Sequence, residues 1–495
     1  MEITEKKKIK SFFCSPDVCW GSVLILILGA VYIATLLPGV GYQCDTAKFQ
    51  FVGRVLGTPH PTGFPTYILL NHLFTTFFPF GHLAFRANLL SAIFAVFACL
   101  ILYLTLKGIF AIKRALAFLT ALTFGVTFSF WSQSIVAEVY TLHILFVITI
   151  IYTFLKWRQT GKEAYFFSAC FLYAISFGNH PTVIFFLPAI VYVTWATDKK
   201  VFVDLKKIAV VLLFIIIGAV QYGYLFWRYY SPDTPYLEMA TPDLERFFWY
   251  ITGAQFKSRM FSFSLPELVI HRVPVFLKQI LDQYLFLIPV ALWGMFKWRD
   301  KTIHIFLWLL FLGNMIPAID YDIAEIFVYL IPNYLILALY IGIGLDSIHA
   351  LLKKKGIALV SYAMILIPLF FFLVNHSKMK PFNDTFHQKR VEAVLQLVKT
   401  DALIISPDDF YSQYFWYYLI GEKMSATRHI YLMHHYDFTQ VKDYIQHNRP
   451  IYLREERKYV PIGLKVYFMN TSQNQNFKQA GFNMHKIRHY LYKVN

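Results

Sequence analysis

The stretch from Gly41 to Pro65, GYQCDTAKFQFVGRVLGTPHPTGFP, follows the first strongly apolar run of the chain. It places Asp45, Lys48, Arg54 and His60 among glycines and prolines, while the surrounding sequence is mostly lipid-soluble. A carboxylate beside a membrane segment is costly unless it is paired or hydrated. Asp45 is therefore the first candidate for a functional residue, and the rest of the chain is interpreted around it.

The composition is that of a membrane protein. The chain has 495 residues, of which 57% are hydrophobic, 19% aromatic and only 15% charged. This balance predicts a polytopic α-helical protein that resides in a lipid bilayer. The formal net charge of +17 would suit nucleic acid, but the basic residues lie in short clusters between apolar runs, so we expect no nucleic-acid partner. The five cysteines form no C-x-x-C pair, and we predict neither a disulfide framework nor a zinc site.

About eleven apolar runs approach the roughly 20 residues that a transmembrane helix requires. They cover residues 18–37, 85–106, 115–131, 139–156, 164–178, 181–197, 208–229, 275–296, 302–318, 326–347 and 357–374. We expect the first run to be an uncleaved anchor, because its C-terminal flank lacks a small-x-small cleavage pattern. The two short runs around Gly178 also fit a single broken hairpin.

The basic clusters predict the orientation of these spans. They precede the first run and follow the second, fourth, sixth, eighth and tenth, at Lys6–Lys10, Lys107–Arg114, Lys156–Lys162, Lys199–Lys207, Lys297–Lys301 and Lys353–Lys355. All of them fall on one side, which the positive-inside rule makes the cytoplasm. The polar and helix-breaking residues gather on the other face, and we interpret them as the lining of an outward-facing cavity.

The chain divides into two predicted domains. Residues 1–375 form the transmembrane domain, with a first outer loop at 38–84 and a long outer loop at 230–274. In the first loop we expect two interfacial helices, Thr46–Leu56 and Thr66–Phe78, split by a Pro- and Gly-rich turn. Residues 376–495 form a small extracytoplasmic α/β domain, with an amphipathic helix at Gln388–Lys399 and strands at 402–405, 430–433, 451–453 and 466–469, with helical stretches between the first three.

Asp45 has two interpretations from spacing alone. As a general base it would take the proton of an acceptor hydroxyl while that hydroxyl attacks a sugar carbon, a contribution of about 10²–10⁴ in rate. One carboxylate suffices for such a transfer because a leaving phosphate needs no protonation. The alternative is a hydrated loop aspartate that caps the helix beginning at Thr46.

Three basic or titratable residues are candidate ligands of a phosphate, each with a structural alternative. His60 lies in a rigid turn between two prolines and either donates to a phosphate or bonds the backbone. Arg54 either meets a lipid phosphate or extends to headgroups. Arg259 lies among aromatic residues of the long outer loop and either clamps a phosphate bidentately or faces anionic headgroups.

The remaining candidates lie at span ends on the outer face. Glu138 either lines the cavity or is a carboxylate favoured by a helix N-terminus. Asn179 and His180 mark a span break, and Tyr321 and Asp322 belong to an acidic cluster that either positions hydroxyl groups or follows charge asymmetry. Two distant histidines do not make a metal site, so no metal is expected.

Several motifs carry a family resemblance. The runs CDTAKFQFVGRVLGTPHPTGFPTYILLNHLF, FWSQSIVAEVYTLHILF, FGNHPTVIFFLPA and YDIAEIFVYLIPNYLILALYIGIGL lie in order between about residues 40 and 345. They resemble the transmembrane protein 260-like family, which is similar to the C superfamily of membrane glycosyltransferases. The resemblance implies a polyprenyl-phosphate-linked sugar donor. It also implies that Asp45 is the family's catalytic Asp and that His60–Pro65 is its turn motif. By the same resemblance, Glu138 corresponds to the family's outer Glu, and Asn179 with His180 to its GNH motif.

One departure from the family pattern concerns the residue three positions after Asp45. The family usually has Asp-Ser-Gly-Glu-Phe, whereas this chain has Asp45-Thr46-Ala47-Lys48-Phe49. Lys48 replaces the second carboxylate, so a role that needs two adjacent acids, including metal binding, is not expected.

The sequence and the resemblance together predict a metal-independent, cofactor-free, inverting glycosyltransferase. Its donor would be a polyprenyl-phosphate sugar, with mannose as the family's example, and its acceptor a hydroxyl of a protein or glycan. We expect a bacterial inner membrane with a cytoplasmic N-terminus and a periplasmic C-terminal domain, or alternatively the endoplasmic reticulum. The rival functions are a transporter or flippase for lipid-linked sugars, which favours polar residues near the midplane and internal repeats, and an inactive binding protein.

Overall fold

The structure is a computed structural model that describes residues 16–41, 45–406, 408–434, 437–469, 479, 481–488 and 490–494. The predicted basic cluster Lys6–Lys10 lies outside the described residues, as do residues 42–44 of the first outer loop.

Long apolar helices make up most of the fold. Nine helices in the described part of the chain are long and apolar enough to cross a membrane: Pro16–Thr35, Leu83–Gly108, Tyr140–Thr160, Pro181–Phe202, Leu205–Tyr230, Leu265–Lys297, Lys301–Ile319, Ile331–Lys354 and Ser361–Val398. The fifth predicted run, residues 164–178, is the helix Glu163–Ser176, whose 14 residues are fewer than a full crossing needs. The polytopic helical fold is confirmed, and the orientation of the spans stays a prediction.

The tenth candidate span is broken. Its two parts, Arg114–Gly125 and Phe128–Ser134, meet at an angle of 69°. The carbonyl groups freed at the bend are satisfied by neighbouring helices, because the Tyr32 hydroxyl donates to the Gly125 oxygen at 2.8 Å and the Asn375 amide donates to the Val126 oxygen at 2.9 Å. Irregular backbone is tolerated at membrane depth when protein groups take up its hydrogen bonds in this way.

The helix Ile331–Lys354 lies at the centre of the bundle and is buried continuously as far as Leu345. It approaches the helix Ile288–Lys297 closely, since a Cβ atom on Gly294 would lie 2.0 Å from the Tyr340 carbonyl oxygen. Small residues that let two backbones approach this closely are a common basis of helix packing in membranes.

The first outer loop contains the two expected helices, with one boundary changed. The first is Thr46–Phe51 rather than Thr46–Leu56, because the chain leaves helical geometry and Leu56 adopts a positive φ of 51°. The second, Pro65–Phe77, agrees with the prediction to one residue. In the turn between them Gly63 has a φ of +83° and lies against Tyr250, where a Cβ atom would come within 2.7 Å of the ring. Glycine satisfies both constraints.

The long outer loop is largely structured. It contains the helix Leu244–Ile251 and the 3₁₀ helix Ala254–Arg259, and it leads into the span that begins at Leu265. Before these helices, residues 236–238 form an extended segment that we call the strap. The strap pairs with the first loop, where Thr58 N donates to the Tyr236 oxygen and Glu238 N donates to the Thr58 oxygen, both at 3.0 Å.

The C-terminal part forms a five-stranded mixed sheet flanked by helices. Its strands are β1 (Ala402–Ile405), β2 (Ile430–Met433), β5 (Lys465–Met469), β6 (Met484–Arg488) and β7 (Leu491–Val494), in the order β2-β1-β5-β7-β6. β1 pairs in parallel with β2 and β5, and β7 is antiparallel to both neighbours. The flanking helices are Phe386–Val398, Asp409–Trp416, Met424–Arg428 and Phe438–His447.

The four predicted strands are present, although one of them lies elsewhere. The segment predicted at 451–453 is β3 (Tyr452–Leu453), which pairs with β4 (Lys458–Tyr459) in a separate two-stranded sheet. The sequence did not predict β4, β6 or β7, because their short, charge-containing segments lack a clear apolar alternation.

The C-terminal domain is attached directly to the outer loops. Val40 N donates to Gln388 Oε1 at 2.8 Å, and Ala84 N donates to the Tyr417 hydroxyl at 3.1 Å. Leu237 N, in the strap, donates to the Glu455 oxygen at 2.8 Å. The strap therefore lies between the first outer loop and the C-terminal domain and is bonded to both.

Candidate active site

A cavity of about 590 Å³ lies where the outer loops, the ends of several spans and the C-terminal domain meet. Six of the residues singled out from the sequence line it: Asp45, His60, Glu138, His180, Arg259 and Tyr321. The expectation that polar residues of one face converge on a cavity therefore agrees with the structure for these six.

Asp45 immediately precedes the helix Thr46–Phe51, but its side chain makes no capping hydrogen bond. One carboxylate oxygen, Oδ1, lies 3.0 Å from Lys48 Nζ, and the other, Oδ2, lies 3.6 Å from His60 Nε2. The side chain is 31% exposed. The capping interpretation thus does not account for this carboxylate, which faces two polar side chains and the cavity.

Lys48 is 5% exposed and lies between two carboxylates. Its Nζ is 3.0 Å from Asp45 Oδ1 and 3.0 Å from Glu238 Oε2. A buried ammonium without partners would carry a large desolvation cost, which these two carboxylates offset. The position that departs from the family pattern therefore holds a paired cation, whose second partner comes from the strap.

The tautomer of His60 follows from its neighbours. Lys48 Nζ lies 3.4 Å from His60 Nδ1, and an ammonium has only donors, so Nδ1 accepts. The ring proton then lies on Nε2, the nitrogen that faces Asp45. Burial lowers the pKa of His60, against the opposing charge of Asp45, which favours this neutral form.

The charges of the other two groups are set by burial and by each other. Burial alone would raise the pKa of Asp45, but His60 and Lys48 together lower it to about 2. Burial would lower the pKa of Lys48, but Asp45 and Glu238 raise it above its usual value. At neutral pH the site therefore contains an ionised Asp45 and a charged Lys48.

Glu138 supports the backbone of Asp45. It is 2% exposed, and its Oε1 accepts from Asp45 N at 3.2 Å and from the Thr46 hydroxyl at 3.3 Å. Burial, together with the nearby Asp45 carboxylate, raises the pKa of Glu138 well above its usual value. The contacts of this residue in the structure are those of a group that holds the start of the helix Thr46–Phe51 in place.

His180 belongs to an aromatic part of the cavity lining. Its ring centroid lies 5.7 Å from that of Tyr329 and 5.9 Å from that of Tyr140, and its Nδ1 is 2.7 Å from Thr182 Oγ1. Burial lowers the pKa of His180 to about 4, so the ring is neutral at physiological pH. Tyr321 extends this aromatic surface through its contact with Tyr329 at 5.4 Å.

Arg259 lies at the end of the 3₁₀ helix Ala254–Arg259 and is exposed towards the cavity. Its carbonyl oxygen accepts from Asp322 N at 2.9 Å, which ties the long loop to the end of a span. Among the described residues, no carboxylate lies within ion-pair distance of its guanidinium. Close by is an apolar surface that we call the span wall, formed by Pro181, Ile184, Phe185, Pro317 and Ala318.

Three residues singled out from the sequence do not line the cavity in the described structure. Arg54 donates to Thr76 Oγ1 at 2.6 Å, within the first loop. Asn179 is fully buried and donates to the Val139 oxygen at 3.2 Å. The side chain of Asp322 is exposed outside the lining. Their observed contacts are structural.

The strap and the C-terminal domain contribute residues to the cavity that were not predicted from the sequence. These are Tyr236, Glu238, Asp409, Gln413, Trp416, His434 and Glu455. No sequence pattern around Glu238 indicates a role in the site, because its partner Lys48 is distant in sequence. Asp409 and His434 follow β1 and β2, and the carboxyl ends of parallel strands are a common place for ligand-binding residues, so their position in the strand pattern was a usable signal.

The chain matches known proteins by sequence over part of its length and by fold over nearly its whole length. Residues 45–202 match the family model of the protein O-mannosyl-transferase TMEM260 N-terminal domain. The protein O-mannosyl-transferase TMEM260 of Mus musculus is 29% identical over 229 residues, which cover 44% of this chain and 31% of that protein. The chain thus spans about a third of the length of this curated relative.

Two crystal structures of ArnT from Cupriavidus metallidurans share the fold. The structure bound to undecaprenyl phosphate has a TM-score of 0.64 at 8% identity and covers 96% of this chain and 97% of that one. The apo structure has a TM-score of 0.61 at 9% identity, with coverages of 97% and 98%. The chain therefore shares the fold of ArnT over nearly its whole length, which agrees with the polytopic helical fold expected from the sequence.

Proposed function

We propose that this chain, whose residues 45–202 match the TMEM260 N-terminal domain family model, is a membrane glycosyltransferase that moves mannose from a polyprenyl phosphate to a hydroxyl group of a protein. The observation that carries the proposal is the arrangement of Asp45. Its carboxylate is ionised, is fixed on one side by Lys48, and faces a cavity that also contains an apolar wall and Arg259, which has no ion pair among the described residues.

The proposed reaction is a single displacement at the anomeric carbon of the sugar. The acceptor oxygen forms a bond to this carbon while the bond to the phosphate oxygen breaks, and that electron pair leaves with the phosphate. The hydroxyl proton passes to Asp45. Because attack and departure occur on opposite faces of the carbon, the transfer inverts its configuration, and the phosphate leaves without needing a proton.

The two oxygens of Asp45 have different roles in this reaction. Oδ1 is held by Lys48 at 3.0 Å. Oδ2 is 3.6 Å from His60 Nε2, longer than a normal hydrogen bond, so it has capacity to accept the proton of an incoming hydroxyl. A carboxylate with a pKa of about 2 is a weak base, but its charge also stabilises the positive charge that develops on the sugar carbon.

The donor would occupy the side of the cavity formed by Arg259 and the span wall. The guanidinium is suited to bidentate contact with a phosphate, and the apolar residues of the span wall are suited to the start of a polyprenyl chain. His60 and Tyr321 line the same cavity and are further candidates for donor contacts. Support for a lipid phosphate comes from the ArnT structure that contains undecaprenyl phosphate, and support for mannose and a protein acceptor from the name of the mouse relative.

We further propose that the transfer uses no metal ion. Arg259 supplies positive charge at the cavity, and this charge would stabilise the departing phosphate. The reaction would take place at the extracytoplasmic face of the bacterial inner membrane, or of the endoplasmic reticulum as the alternative location.

The test is sugar transfer by the purified chain in detergent, with polyprenyl-phosphate mannose as the donor and Ser/Thr-containing peptides as acceptors. We expect transfer by the natural protein in the presence of a chelator. We expect Asp45→Asn, which preserves shape, to bind donor but to lose transfer by at least about 10²-fold. Normal transfer by a folded Asp45→Asn protein would exclude the mechanism. Donor binding without turnover by the natural protein would favour a transport or binding function.

A further inference from the structure

The cavity has a second polar surface that none of its transmembrane helices provides. It consists of Asp409, Gln413, Trp416, His434 and Glu455, which we call the C-terminal wall. Asp409 begins the helix after β1, and His434 directly follows β2. The parallel pairing of these two strands brings both residues to the same edge of the sheet.

His434 and Asp409 form an ion pair whose protonation follows from its geometry. His434 Nδ1 lies 3.2 Å from the Ser406 carbonyl oxygen and 2.9 Å from Ser412 Oγ, whose own proton is donated to the Asp408 carbonyl oxygen, so both neighbours accept and Nδ1 carries a proton. His434 Nε2 lies 2.5 Å from Asp409 Oδ1, which requires a second proton on the ring. The imidazole is therefore a buried cation, 7% exposed at its side chain, that fixes the direction of the Asp409 carboxylate.

Asp409 itself remains accessible. Its side chain is 88% exposed, although it is oriented by His434 and lines the cavity. The C-terminal wall therefore extends from the interior of the cavity to the outside of the protein. A ligand on this wall can be longer than the cavity and can reach it from the aqueous side.

The wall is held in a defined position relative to Asp45. Tyr417, which follows the helix Asp409–Trp416, accepts from Ala84 N of the first outer loop region at 3.1 Å. Glu455 accepts from the strap at Leu237 N, and the next strap residue is the partner of Lys48. Hydrogen bonds thus link the elements of the C-terminal wall to the first outer loop region, which contains Asp45, and to the strap, which contains the second partner of Lys48.

We propose that the C-terminal wall is the acceptor subsite, where Asp409 accepts hydrogen bonds from a polypeptide and holds its serine or threonine hydroxyl towards Asp45. This inference rests on the proposed function, in which the donor takes the span wall and Arg259. A polypeptide fits because the exposed end of the wall allows a folded acceptor to stay outside while one segment enters. Asp409 is a positioning group for the substrate and takes no proton in the reaction.

The chain contains a matched control for this residue. Asp401 and His429 form another Asp–His pair in the same domain, with Oδ1 and Nδ1 3.2 Å apart and side chains 61% and 64% exposed. Neither residue lines the cavity. Asp401→Asn thus removes the same charge from the same kind of pair at a site outside the proposed subsite.

The experiment compares Asp409→Asn, Asp409→Ala and Asp401→Asn in the full chain reconstituted in detergent. The donor is polyprenyl-phosphate mannose, and the acceptors are a pool of Ser/Thr-containing peptides and, separately, methyl α-mannoside. We expect both Asp409 variants to raise the KM for peptide by about tenfold and to lower the ratio of peptide-linked to water-released mannose to a similar degree. Asp401→Asn should behave as the natural protein.

The other outcomes contradict the inference in distinguishable ways. An unchanged peptide KM in both Asp409 variants overturns the subsite. If the Asp409 variants raise the KM for the donor and leave the KM for the peptide unchanged, the C-terminal wall binds the donor and the inference is wrong. Transfer to methyl α-mannoside with none to peptide overturns the polypeptide acceptor. If the natural protein neither transfers nor hydrolyses the donor, the proposed function itself fails.

Discussion

The ammonium group of Lys48 and the carboxylate of Glu238 lie 3.0 Å apart although 190 residues separate them in the chain. The same ammonium lies 3.0 Å from the carboxylate of Asp45. One buried cation thus joins the proposed catalytic base to the strap of the long outer loop. The lysine that departs from the family pattern is part of the site, and its effect on Asp45 can be measured.

Replacing Lys48 with methionine should change the pH dependence of transfer. Loss of the cation removes one of the two interactions that lower the pKa of Asp45, while burial still raises this pKa and His60 still lowers it. In the natural protein Asp45 stays ionised down to a pKa of about 2. In the variant we expect activity to decline at a higher pH than in the natural protein, because Asp45 becomes protonated at a higher pH. The measurement is the pH profile of kcat/KM for both proteins.

The control for this prediction is Lys278→Met, which removes an exposed lysine paired with Asp282 outside the cavity. It should leave the profile unchanged. A Lys48→Met protein whose activity is reduced equally at every pH would show that Lys48 acts on structure alone.

Exchanging the charges of Lys48 and Glu238 should recover part of the folding stability that each single variant loses. Lys48→Glu places a second carboxylate beside Asp45 and leaves two anions without their cation. Adding Glu238→Lys restores an opposite charge at the other end of the same contact. We expect a coupling of about 1 kcal/mol or more in the free energy of unfolding, measured as a double-mutant cycle by thermal denaturation in detergent. Additive effects of the two changes would contradict a direct interaction.

The contacts of Glu138 predict that the shape of its side chain matters more for activity than its negative charge. The raised pKa favours the neutral form, and Glu138→Gln keeps an oxygen that can accept from Asp45 N and the Thr46 hydroxyl. We expect it to retain activity within about threefold. Glu138→Ala leaves these donors unpaired in a buried place, at a cost of about 1–3 kcal/mol in stability. The transfer rates and melting temperatures of both variants test this prediction. Equal losses of activity and stability in Glu138→Gln and Glu138→Ala would show that the charge is required.

Arg259 should contribute mainly to donor binding. Its guanidinium has no ion pair among the residues that the structure describes, so a phosphate would be its first charged partner. We expect Arg259→Ala to raise the KM for donor by about tenfold or more and Arg259→Lys to raise it less, because lysine keeps the charge without the bidentate geometry. Arg246→Ala, which removes an arginine stacked on Trp249 at the exposed face of the helix Leu244–Ile251, is the control. A donor KM unchanged by Arg259→Ala would contradict the assignment.

Local patterns predicted much of the fold. Apolar runs of sufficient length identified the spans, and β1 and β2 were predicted with their observed bounds because they are short, apolar and bounded by turn residues. The first interfacial helix was predicted to be too long, because no sequence pattern near Phe51 indicates that the helix ends there. That early turn also accounts for Arg54, which bonds Thr76 in place of extending from a helix towards the cavity.

The candidate site was predictable only where its members share one face of the membrane. Asp45, His60, Glu138 and Arg259 all follow or precede spans on the same predicted side, so their convergence could be expected. Glu238 could not be paired with Lys48 in this way, because a contact across 190 residues depends on how the strap packs. The C-terminal wall likewise required knowledge of which edge of the sheet faces the loops.

The strap has a consequence for the order in which the protein matures. Its backbone is bonded on one side to Thr58 and on the other to Glu455, which is translated long after Thr58. A nascent chain can insert all its spans and place Asp45 at the membrane surface before the outer partner of the strap exists. The site is therefore completed last, when the C-terminal domain folds, and a ribosome-bound chain that ends before residue 455 would carry the proposed base without the finished cavity around it.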